Sequence, residues 1–584
     1  MFRNILTITL RNILKHRLYS IINILGLTIG FTSYILLSLF LKYEYNWDKE
    51  NVNYDRIYRV QVNVTLSGKK EYWTQSPAAI TDLLKEKYPE FEQVVLMREA
   101  WGEYVSTSSI RPFYDDEGYY ADPNLFDVFT YHFIRGNPST ALSEPNSVVL
   151  SKTMANRLFP DDNAFGNTII LEKKFPLKVT GIYTDLLQST LVRPSYIIPI
   201  SSFKIIKNWA EYRSNWGTSF RNYVLLKKGA DYREVNKKIA GLINSNHKDP
   251  VIQKIYLCPL SIQYLKPTDR MDYMIAIYSY ALVAIFILIL ASINYINLTT
   301  ANSSSRAREI AVRKVNGSNK GSLISQFLGE TVILSLIAAN FSLVFANLLL
   351  PLFNRIVDKN IDYSMINNWH FIGYMIVVAI TIGLISGIYP AFVLSSFKPV
   401  NLLKGDVYKN HKGKLGPKKI LVTFQYMISI FLIIETLIVY KQIQYMMSKD
   451  LGFNKENLLI ASIKSTNKKL DMEEFRDKLL QNPEILDVTY SQSLPFHGSS
   501  GWPMTWEGNQ SNEKMDVRYN EVSIDFVRTL QMKIVKGRNF SRDFPSDRKE
   551  SCLINETACR RFGWTDPVGK MVDGKYRVVG VVKD

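Results

Sequence analysis

The residue types that most often carry out enzymatic chemistry are present in this chain, but their spacing fits no catalytic motif. The six histidines are scattered, and no serine lies in a GxSxG nucleophile motif. Cys258, Cys552 and Cys559 form neither a CxxC pair nor a disulfide framework. No GxxxxGK[ST] loop is present to hold nucleotide phosphates. We therefore expect no catalytic residue, no metal site and no cofactor in this chain. We expect that any ATP is bound by a partner.

The net charge of +18 is concentrated in three short segments, 1–17, 301–326 and 395–419, each of which adjoins an apolar run. Basic residues beside membrane spans are what the positive-inside rule produces. The long polar regions between the spans are nearly neutral. This distribution argues against nucleic-acid binding, and it predicts that the three segments lie in the cytoplasm.

Five apolar runs are long enough to cross a bilayer, which needs about 20 apolar residues in a helix. Placing the basic segments inside gives a multi-pass membrane protein with its N-terminus in the cytoplasm. The bias toward Asn, Lys, Ile and Tyr fits an AT-rich bacterial genome, so we expect the bacterial inner membrane. The predicted organisation is a cytoplasmic amphipathic N-terminus (1–17), transmembrane segment 1 (18–41), a first extracytoplasmic domain (42–273), a block of transmembrane segments 2–4 (274–397) with a cytoplasmic loop (301–326), a basic cytoplasmic linker (398–419), transmembrane segment 5 (420–440) and a second extracytoplasmic domain (441–584).

The two extracytoplasmic regions resemble each other in the same order along the chain. Residues 147–159 (SVVLSKTMANRLF) parallel 551–563 (SCLINETACRRFG), and 179–185 parallel 578–584. Since a span precedes each copy, the predicted repeat is a span followed by an α/β domain. The second copy is shorter, so we expect a chain cut within its second repeat, with eight spans in the intact protein.

Local patterns predict that both domains open with a strand, a helix and a strand. In the first copy these are 57–64, a helix capped by Ser76 that runs to Lys87, and 92–98. In the second copy they are 457–463, 472–480 and 486–491.

Several motifs resemble the FtsX-like domain of MacB-type ABC transporter permeases. These are 293–301 (INYINLTTA), 306–317 (RAREIAVRKVNG), 387–391 (GIYPA) and 398–405 (KPVNLLKG). Residues 54–60 resemble the start of the family's extracytoplasmic core domain, and 421–425 the second half of eight-span members. The best-known members of the family have four spans and one extracytoplasmic domain, whereas this chain resembles a duplicated form. The duplication leaves open whether one chain or two form the permease.

The resemblance implies that a short helix in the 301–326 loop fits a groove of a separate P-loop ATPase. The predicted docking residues are Arg306, Arg308, Glu309, Arg313, Lys314 and Gly317. The alternative is that these basic residues only set the topology of the chain. Topology does not require Glu309 between Arg306 and Arg313 at helical spacing, which favours docking.

Glu435 is the one acid that we place inside a predicted span. Ionisable groups at membrane depth are costly and are often functional. Because Glu435 lies near the outer end of its span, the alternative is that its carboxylate simply reaches water.

The leading hypothesis is a permease that couples ATP hydrolysis by its partner to movement of the extracytoplasmic domains, for export or extraction of an envelope substrate. The alternative is a regulatory transducer that activates a cell-wall hydrolase or a sensor. A membrane-anchored receptor is a third interpretation, but it leaves the charged three-span block unexplained. Expected partners are the ATPase, membrane lipid, a periplasmic or outer-envelope protein and a second copy of the chain. The sequence does not identify the substrate.

Overall fold

The fold is described from a computed structural model of the chain. The structure describes residues 11, 17–66, 69–100, 102–161, 163–187, 189–207, 212–246, 252–265, 272–302, 312–315, 318–396, 417–461, 471–493, 500–509 and 515–584. Most of the predicted amphipathic N-terminus (1–17) and most of the basic linker (398–419) lie outside these residues.

A long apolar helix, α1 (Arg17–Tyr45), leads into a large α/β domain. The elements of this domain are β1 (Ile57–Leu66), β2 (Lys69–Trp73), α2 (Ile80–Lys87), β3 (Phe91–Glu99), β4 (Glu103–Ser106), β5 (Phe113–Asp115), β6 (Gly118–Ala121), α3 (Leu125–Val128), β7 (Phe133–Gly136), β8 (Ser147–Ser151), α4 (Lys152–Leu158), β9 (Thr168–Leu171), β10 (Phe175–Tyr183), β11 (Tyr196–Pro199), α5 (Phe203–Ile206), β12 (Arg221–Leu226), α6 (Tyr232–Ile239), α7 (Leu242–Asn246), β13 (Ile252–Pro259) and α8 (Leu260–Gln263).

The strands form one mixed sheet in the order β13-β1-β12-β3-β6-β11-β8-β10-β9-β4-β5, with β2 beside β1 and β7 beside β10. Successive side chains of a strand point to opposite faces of its sheet. In β3, Val95 and Met97 join one buried cluster, whereas Val94 and Leu96 belong to two others. Both faces of the sheet are therefore covered, and the core lies on either side of its central strands.

The first helix of the domain begins at Ile80, not after a Ser76 cap as the sequence predicts. Ser76 instead pairs with Phe220, whose carbonyl accepts its N–H at 2.8 Å. The Ser76 hydroxyl accepts from the amide of Asn222 at 3.0 Å. These contacts hold Ser76 in an extended conformation, so the capping prediction is wrong. The predicted strands 57–64 and 92–98 are confirmed within β1 and β3.

Three further apolar helices follow the domain: α9 (Asp272–Ala301), α10 (Lys320–Val357) and, after the short α11 (Ser364–Asn367), α12 (Trp369–Ser396). Small residues bring these helices and α1 close together. The Ser335 hydroxyl of α10 donates to the carbonyl of Ala379 in α12 at 2.7 Å. An apolar cluster is shared by α1, α9, α10 and α12. These four helices therefore form one bundle.

The fifth apolar helix, α13 (Pro417–Ser448), lies beside the bundle and is largely exposed. The amide of Asn297 in α9 donates to Gln425 of α13 at 3.0 Å. All five long helices have the length and hydropathy needed to cross a membrane. The prediction of five apolar membrane helices, and of a multi-pass membrane protein, is confirmed.

A second α/β region follows α13. Its elements are α14 (Met472–Leu479), β14 (Ser500–Met504), β15 (Met515–Tyr519), α15 (Phe526–Thr529), β16 (Ile534–Gly537), β17 (Ser551–Asn555), α16 (Glu556–Arg561), β18 (Met571–Val572) and β19 (Tyr576–Val582).

The predicted helix at 472–480 is confirmed as α14, but the strands predicted beside it are not formed by their described residues. Residues 462 and 463 of the first strand lie outside the described part of the chain. Residues 457–461 are irregular, and of 486–491 only Ser491 makes an isolated bridge, to Val522. A strand needs a neighbour that satisfies its backbone groups. Leu459 and Leu486 are 93% and 95% exposed, so nothing in the described part of the chain packs on them.

Candidate functional site

The predicted docking loop is described only in part. Arg313 and Lys314 lie in a helical turn at 312–315. The other predicted docking residues, Arg306, Arg308, Glu309 and Gly317, lie outside the described residues.

The helical turn at 312–315 is fastened to two of the long helices. Arg313 donates from Nη1 to Oε1 of Gln326 in α10 at 2.5 Å. Lys314 donates from Nζ to the carbonyl of Ser395, in the last turn of α12, at 2.6 Å. A cation at a helix C-terminus is favourable because the last carbonyls there lack intrahelical partners. A force applied to this turn would therefore reach the start of α10 and the end of α12.

The same turn presents two exposed apolar side chains. Val312 and Val315 are 59% and 68% exposed. The start of α10 is fixed by Asn319, whose side chain accepts from the N–H of Ser322 at 2.7 Å. The turn thus combines anchored basic residues with an exposed apolar pair, and this combination suits a protein partner.

Beyond the turn, α10 and α12 pack at the distance that only glycine allows. A Cβ on Gly383 would lie 2.8 Å from Cα of Val332, and one on Gly387 would lie 2.3 Å from Oγ1 of Thr331. Real Cβ atoms do not make contacts this short with either backbone or side-chain atoms. The two helices therefore form a closely packed pair.

The helices that enter and leave the α/β domain, α1 and α9, are joined at both ends. Near the start of α1, the Tyr19 hydroxyl donates to Oγ1 of Thr299 at 2.7 Å. At the other end, Tyr273 donates to Oε2 of Glu44 at 2.5 Å. Between these points, a Cβ on Gly30 would lie 2.7 Å from Cβ of Ala291. We call the end near Tyr19 the loop side and the end near Glu44 the domain side.

The structure changes which acidic residues are placed inside the apolar helices. Glu435 is exposed in α13. Glu330, in α10, is 5% exposed and was missed, so Glu435 is not the one acid inside a span. The signal was available, because Glu330 interrupts an apolar run of α10. A buried acid at this depth is a stronger candidate for function than an exposed one.

Two buried carboxylates stand out in the α/β domain. Burial raises the pKa of Asp48 to about 6, although Leu191 donates its N–H to Oδ1 at 3.0 Å. Burial also raises the pKa of Glu103, against the opposing effect of Lys207 at 2.7 Å. The Tyr120 hydroxyl donates to Glu103 at 2.7 Å. Among the residues that the structure describes, no three His, Cys, Asp or Glu side chains are grouped to hold a metal ion.

Comparison with protein families gives two matches that together span most of the chain. The MacB-like periplasmic core domain matches residues 20–242 and again 423–584. The FtsX-like permease C-terminal domain matches residues 281–399.

Several curated proteins are similar to the chain. The ABC transporter permease YknZ of Bacillus subtilis, named as uncharacterized, is 23% identical over 411 residues, which are 68% of this chain and 97% of YknZ. The permease MJ1507 of Methanocaldococcus jannaschii, also named as uncharacterized, is 22% identical over 426 residues, or 69% and 98% of the two chains. The macrolide export ATP-binding/permease protein MacB of Salmonella typhimurium is 22% identical over 223 residues, 37% of this chain and 32% of MacB. The chain thus spans about a third of MacB.

Solved structures also resemble the chain. The periplasmic region of MacB from Actinobacillus actinomycetemcomitans is 16% identical with a TM-score of 0.27, covering 37% of this chain and 93% of that one. The extracellular domain of the ABC-type transporter YknZ from Gram-positive bacteria is 15% identical with a TM-score of 0.26, covering 35% and 99%.

Proposed function

The chain belongs to the MacB/FtsX-type family of ABC transporter permeases, and from that membership we propose that it couples ATP hydrolysis by a separate ATPase subunit to movement of its α/β domains. The movement would export or extract a substrate of the cell envelope. The observation that carries the proposal is the turn at 312–315, which is anchored to both α10 and α12 and exposes Val312 and Val315.

A path for the movement is supported by the packing between the turn and the domain. The turn holds α10 and α12, which pack closely through Gly383 and Gly387. Thr28 of α1 donates to the carbonyl of Ala338 in α10 at 3.4 Å, which links the pair to the helix that enters the domain. Interiors this densely packed transmit displacement because they do not deform continuously.

We place the turn and the N-terminus in the cytoplasm of a bacterial inner-membrane protein, and the α/β regions outside. The basic residues of 1–17, 301–326 and 395–419 support this orientation. In this arrangement ATP is bound by the partner, and the permease itself carries no cofactor.

We also propose that the chain contains two repeats of a span and an α/β domain. Thr153 donates its N–H and hydroxyl to the two carboxylate oxygens of Asp185 at 3.1 and 2.9 Å. Thr557 donates the same two groups to Asp584 at 2.8 and 2.7 Å. In each copy a strand pairs in parallel with the strand that ends two residues before this carboxylate, β8 with β10 and β17 with β19. Such agreement of detail supports duplication of one unit.

The substrate class is inferred from the name of one relative and from the proposed mechanism. The relative MacB is named for macrolide export, and a mechanism that moves extracytoplasmic domains suits substrates that are already at the outer face of the membrane. We therefore propose amphiphilic envelope molecules, peptides or lipid-anchored proteins as substrates.

The test is purification of the full-length protein from native membranes in mild detergent, followed by identification of any P-loop ATPase that accompanies it. The test variants are Val315→Asp and Glu309→Lys, and we expect both to release the ATPase. Val52→Asp is a matched control, since Val52 is 85% exposed at the domain side. Lys320→Glu is a second control, a charge reversal at an exposed residue on the loop side.

Retention of the ATPase by Val315→Asp would refute docking at this turn. If no ATPase accompanies the wild-type protein and added ATP leaves its conformation unchanged, the transporter hypothesis fails. A stable extracytoplasmic protein partner, together with ATP-dependent change and no transported molecule, would replace export with regulatory transduction.

A further inference from the structure

A partly buried cluster of polar and aromatic residues lies where the α/β domain meets the helix bundle. It joins the end of α1, the segment after α8, the start of α9 and the loop that follows α10. We call it the Lys359 clamp, and its members are Tyr43, Glu44, Trp47, Tyr264, Tyr273 and Lys359.

Glu44 is the acid at the centre of the clamp and is 0% exposed. Its Oε2 accepts the hydrogen bond from Tyr273, and its Oε1 lies 3.6 Å from Nζ of Lys359. Oε1 accepts no hydrogen bond from the part of the chain that the structure describes. The Lys359 ammonium is therefore the positive charge that compensates a buried carboxylate.

Lys359 also lies in an aromatic cage. Its Nζ is 5.9 Å from the ring centre of Tyr43, 5.7 Å from that of Trp47 and 5.8 Å from that of Tyr264. Trp47 and Tyr264 stack with their ring centres 3.6 Å apart. Three aromatic rings around one ammonium group form the arrangement that proteins use to bind cations. Here the cation that fills the cage belongs to the chain itself.

The four segments of the clamp have different mechanical roles. The α/β domain has two covalent connections to the bundle, one through α1 and one through α9, and both contribute residues to the clamp. Lys359 is the member that comes from the loop between α10 and α12. It therefore provides a third attachment, a non-covalent one, between the domain and the helix pair that carries the turn at 312–315.

The contacts of Lys359 are those of an attachment that can open. Its hydrogen bond to the Tyr264 hydroxyl is 3.3 Å long and its ion pair with Glu44 is 3.6 Å long. Its side chain is 26% exposed, so the ammonium has a route to water. When Lys359 leaves, Glu44 keeps the hydrogen bond from Tyr273 but loses its compensating charge. This loss favours return of the lysine.

We propose that Lys359 and its cage form a reversible latch that fixes the α/β domain to the α10–α12 pair and opens when the domain moves. The latch itself follows from the contacts above. Its opening by ATP rests on the proposed function, and the two parts are tested separately.

The first test measures distances by electron spin resonance in lipid nanodiscs. Labels are placed at Ser139→Cys in the domain and Asn367→Cys in α11, both exposed, after replacement of the three native cysteines. We expect one narrow distance distribution for the wild-type clamp. Lys359→Met, which keeps the length of the side chain but removes the charge, should add a second and broader population.

Two further variants make this test specific. Lys359→Arg should keep the single narrow distribution, because guanidinium groups also bind aromatic faces and carboxylates. Glu44→Gln removes the charge partner but leaves the cage, so its second population should be smaller than that of Lys359→Met. Glu44→Gln also keeps the latch testable if the Lys359→Met protein fails to fold. Identical distributions for the wild type, Lys359→Met and Glu44→Gln would overturn the latch.

The second test adds the co-purified ATPase and a non-hydrolysable ATP analogue to the labelled wild-type protein. Opening by ATP predicts that the analogue produces the population seen in Lys359→Met. If Lys359→Met shows this population but the analogue does not produce it, opening by ATP is overturned while the latch stands. Absence of any ATPase that binds the chain would instead count against the proposed function.

Discussion

Tyr19 donates a hydrogen bond to Thr299 at 2.7 Å, although the two residues are 280 positions apart in the sequence. The bond closes the loop-side end of the α1–α9 pair, as the bond from Tyr273 to Glu44 closes the domain-side end. At a rise of 1.5 Å per residue, the two closures are about 38 Å apart along α1. The helices that enter and leave the domain are thus fastened at both ends.

The first prediction concerns the Tyr19–Thr299 bond. Tyr19→Phe removes the donor and should destabilise the protein by about 0.5–1 kcal/mol, the usual range for a hydrogen bond between membrane helices. A double-mutant cycle with Thr299→Val, measured by unfolding in mixed detergent micelles, should give a coupling energy of similar size. Tyr426→Phe is the control, because Tyr426 is 64% exposed on α13. A coupling energy of zero would show that the bond does not hold the helices.

The second prediction concerns the close packing of α10 and α12. Gly383→Ala would place a Cβ 2.8 Å from a backbone atom, Cα of Val332, that cannot rotate away. The helices must separate, at a cost of about 1–3 kcal/mol. Gly373→Ala, on the same helix, has no atom within 4 Å of the new Cβ and should gain up to about 1 kcal/mol in helix propensity.

Both glycine variants are measured by thermal unfolding of the full-length protein in detergent. The two substitutions make the same chemical change in one helix, yet Gly383→Ala should lower the stability of the protein and Gly373→Ala should raise it. If both variants stabilise, then α10 and α12 do not approach each other as closely as the structure indicates.

The membrane helices were predictable because their signal is local. A span must bury about 20 consecutive apolar residues, and each of the five runs satisfies this without reference to the rest of the chain. Glu330 carried a local signal as well, as an acid within an apolar run. Its burial depends on the neighbouring helices and could not be predicted.

The features that sequence patterns missed depend on residues far apart in the chain. Ser76 is followed by Pro77 and so fits a helix cap, yet its pairing with Phe220, 144 positions later, determines its conformation. The residues around Lys359 in the sequence do not predict its contacts with Glu44 or Tyr264. They form a polar loop, and that composition predicts only that the loop lies outside the membrane. The proposed repeat rests on sequence similarity, whereas the matching hydrogen bonds of Asp185 and Asp584 could not be predicted from it.

The third prediction concerns pH. Burial raises the pKa of Asp48 from its usual 3.8 to about 6, so between these values the folded protein holds a proton that the unfolded chain has released. Stability contributed by this group therefore falls as pH rises through that window and is constant above it. At 1.36 kcal/mol per pKa unit, the ionised Asp48 costs about 3 kcal/mol at pH 7.

Asp48→Asn should remove this cost, because Asn can accept the Leu191 N–H and tolerates the positive φ of 60° at this position. The difference in thermal midpoint between variant and wild type should grow from pH 4 to pH 6 and then stay constant, with the variant the more stable. Asp116 is an exposed acid in the same domain, so the difference in thermal midpoint between Asp116→Asn and the wild type should not change with pH. A flat profile for Asp48→Asn would exclude a buried, proton-binding Asp48.

The last prediction tests the proposed repeat with two pairs of glycines. Gly136 and Gly537 both have positive φ, and a Cβ on either would lie 2.4 Å from a backbone carbonyl oxygen, that of Thr180 or Val579. Gly166 and Gly569 also have positive φ, but no atom lies within 4 Å of a new Cβ. Alanine at all four positions pays the left-handed strain of about 1–2 kcal/mol, and at the first two it also clashes.

The clash is isolated by subtracting the effect of the open glycine from that of the crowded one within each copy. If the two copies are equivalent, the destabilisation by Gly136→Ala should exceed that by Gly166→Ala by the same amount as Gly537→Ala exceeds Gly569→Ala. Hydrogen exchange of β10 and β19 measures each copy separately in the full-length protein. Differences that disagree by more than about 1 kcal/mol, well beyond the usual additivity error for distant sites, would contradict the structural equivalence of the two regions.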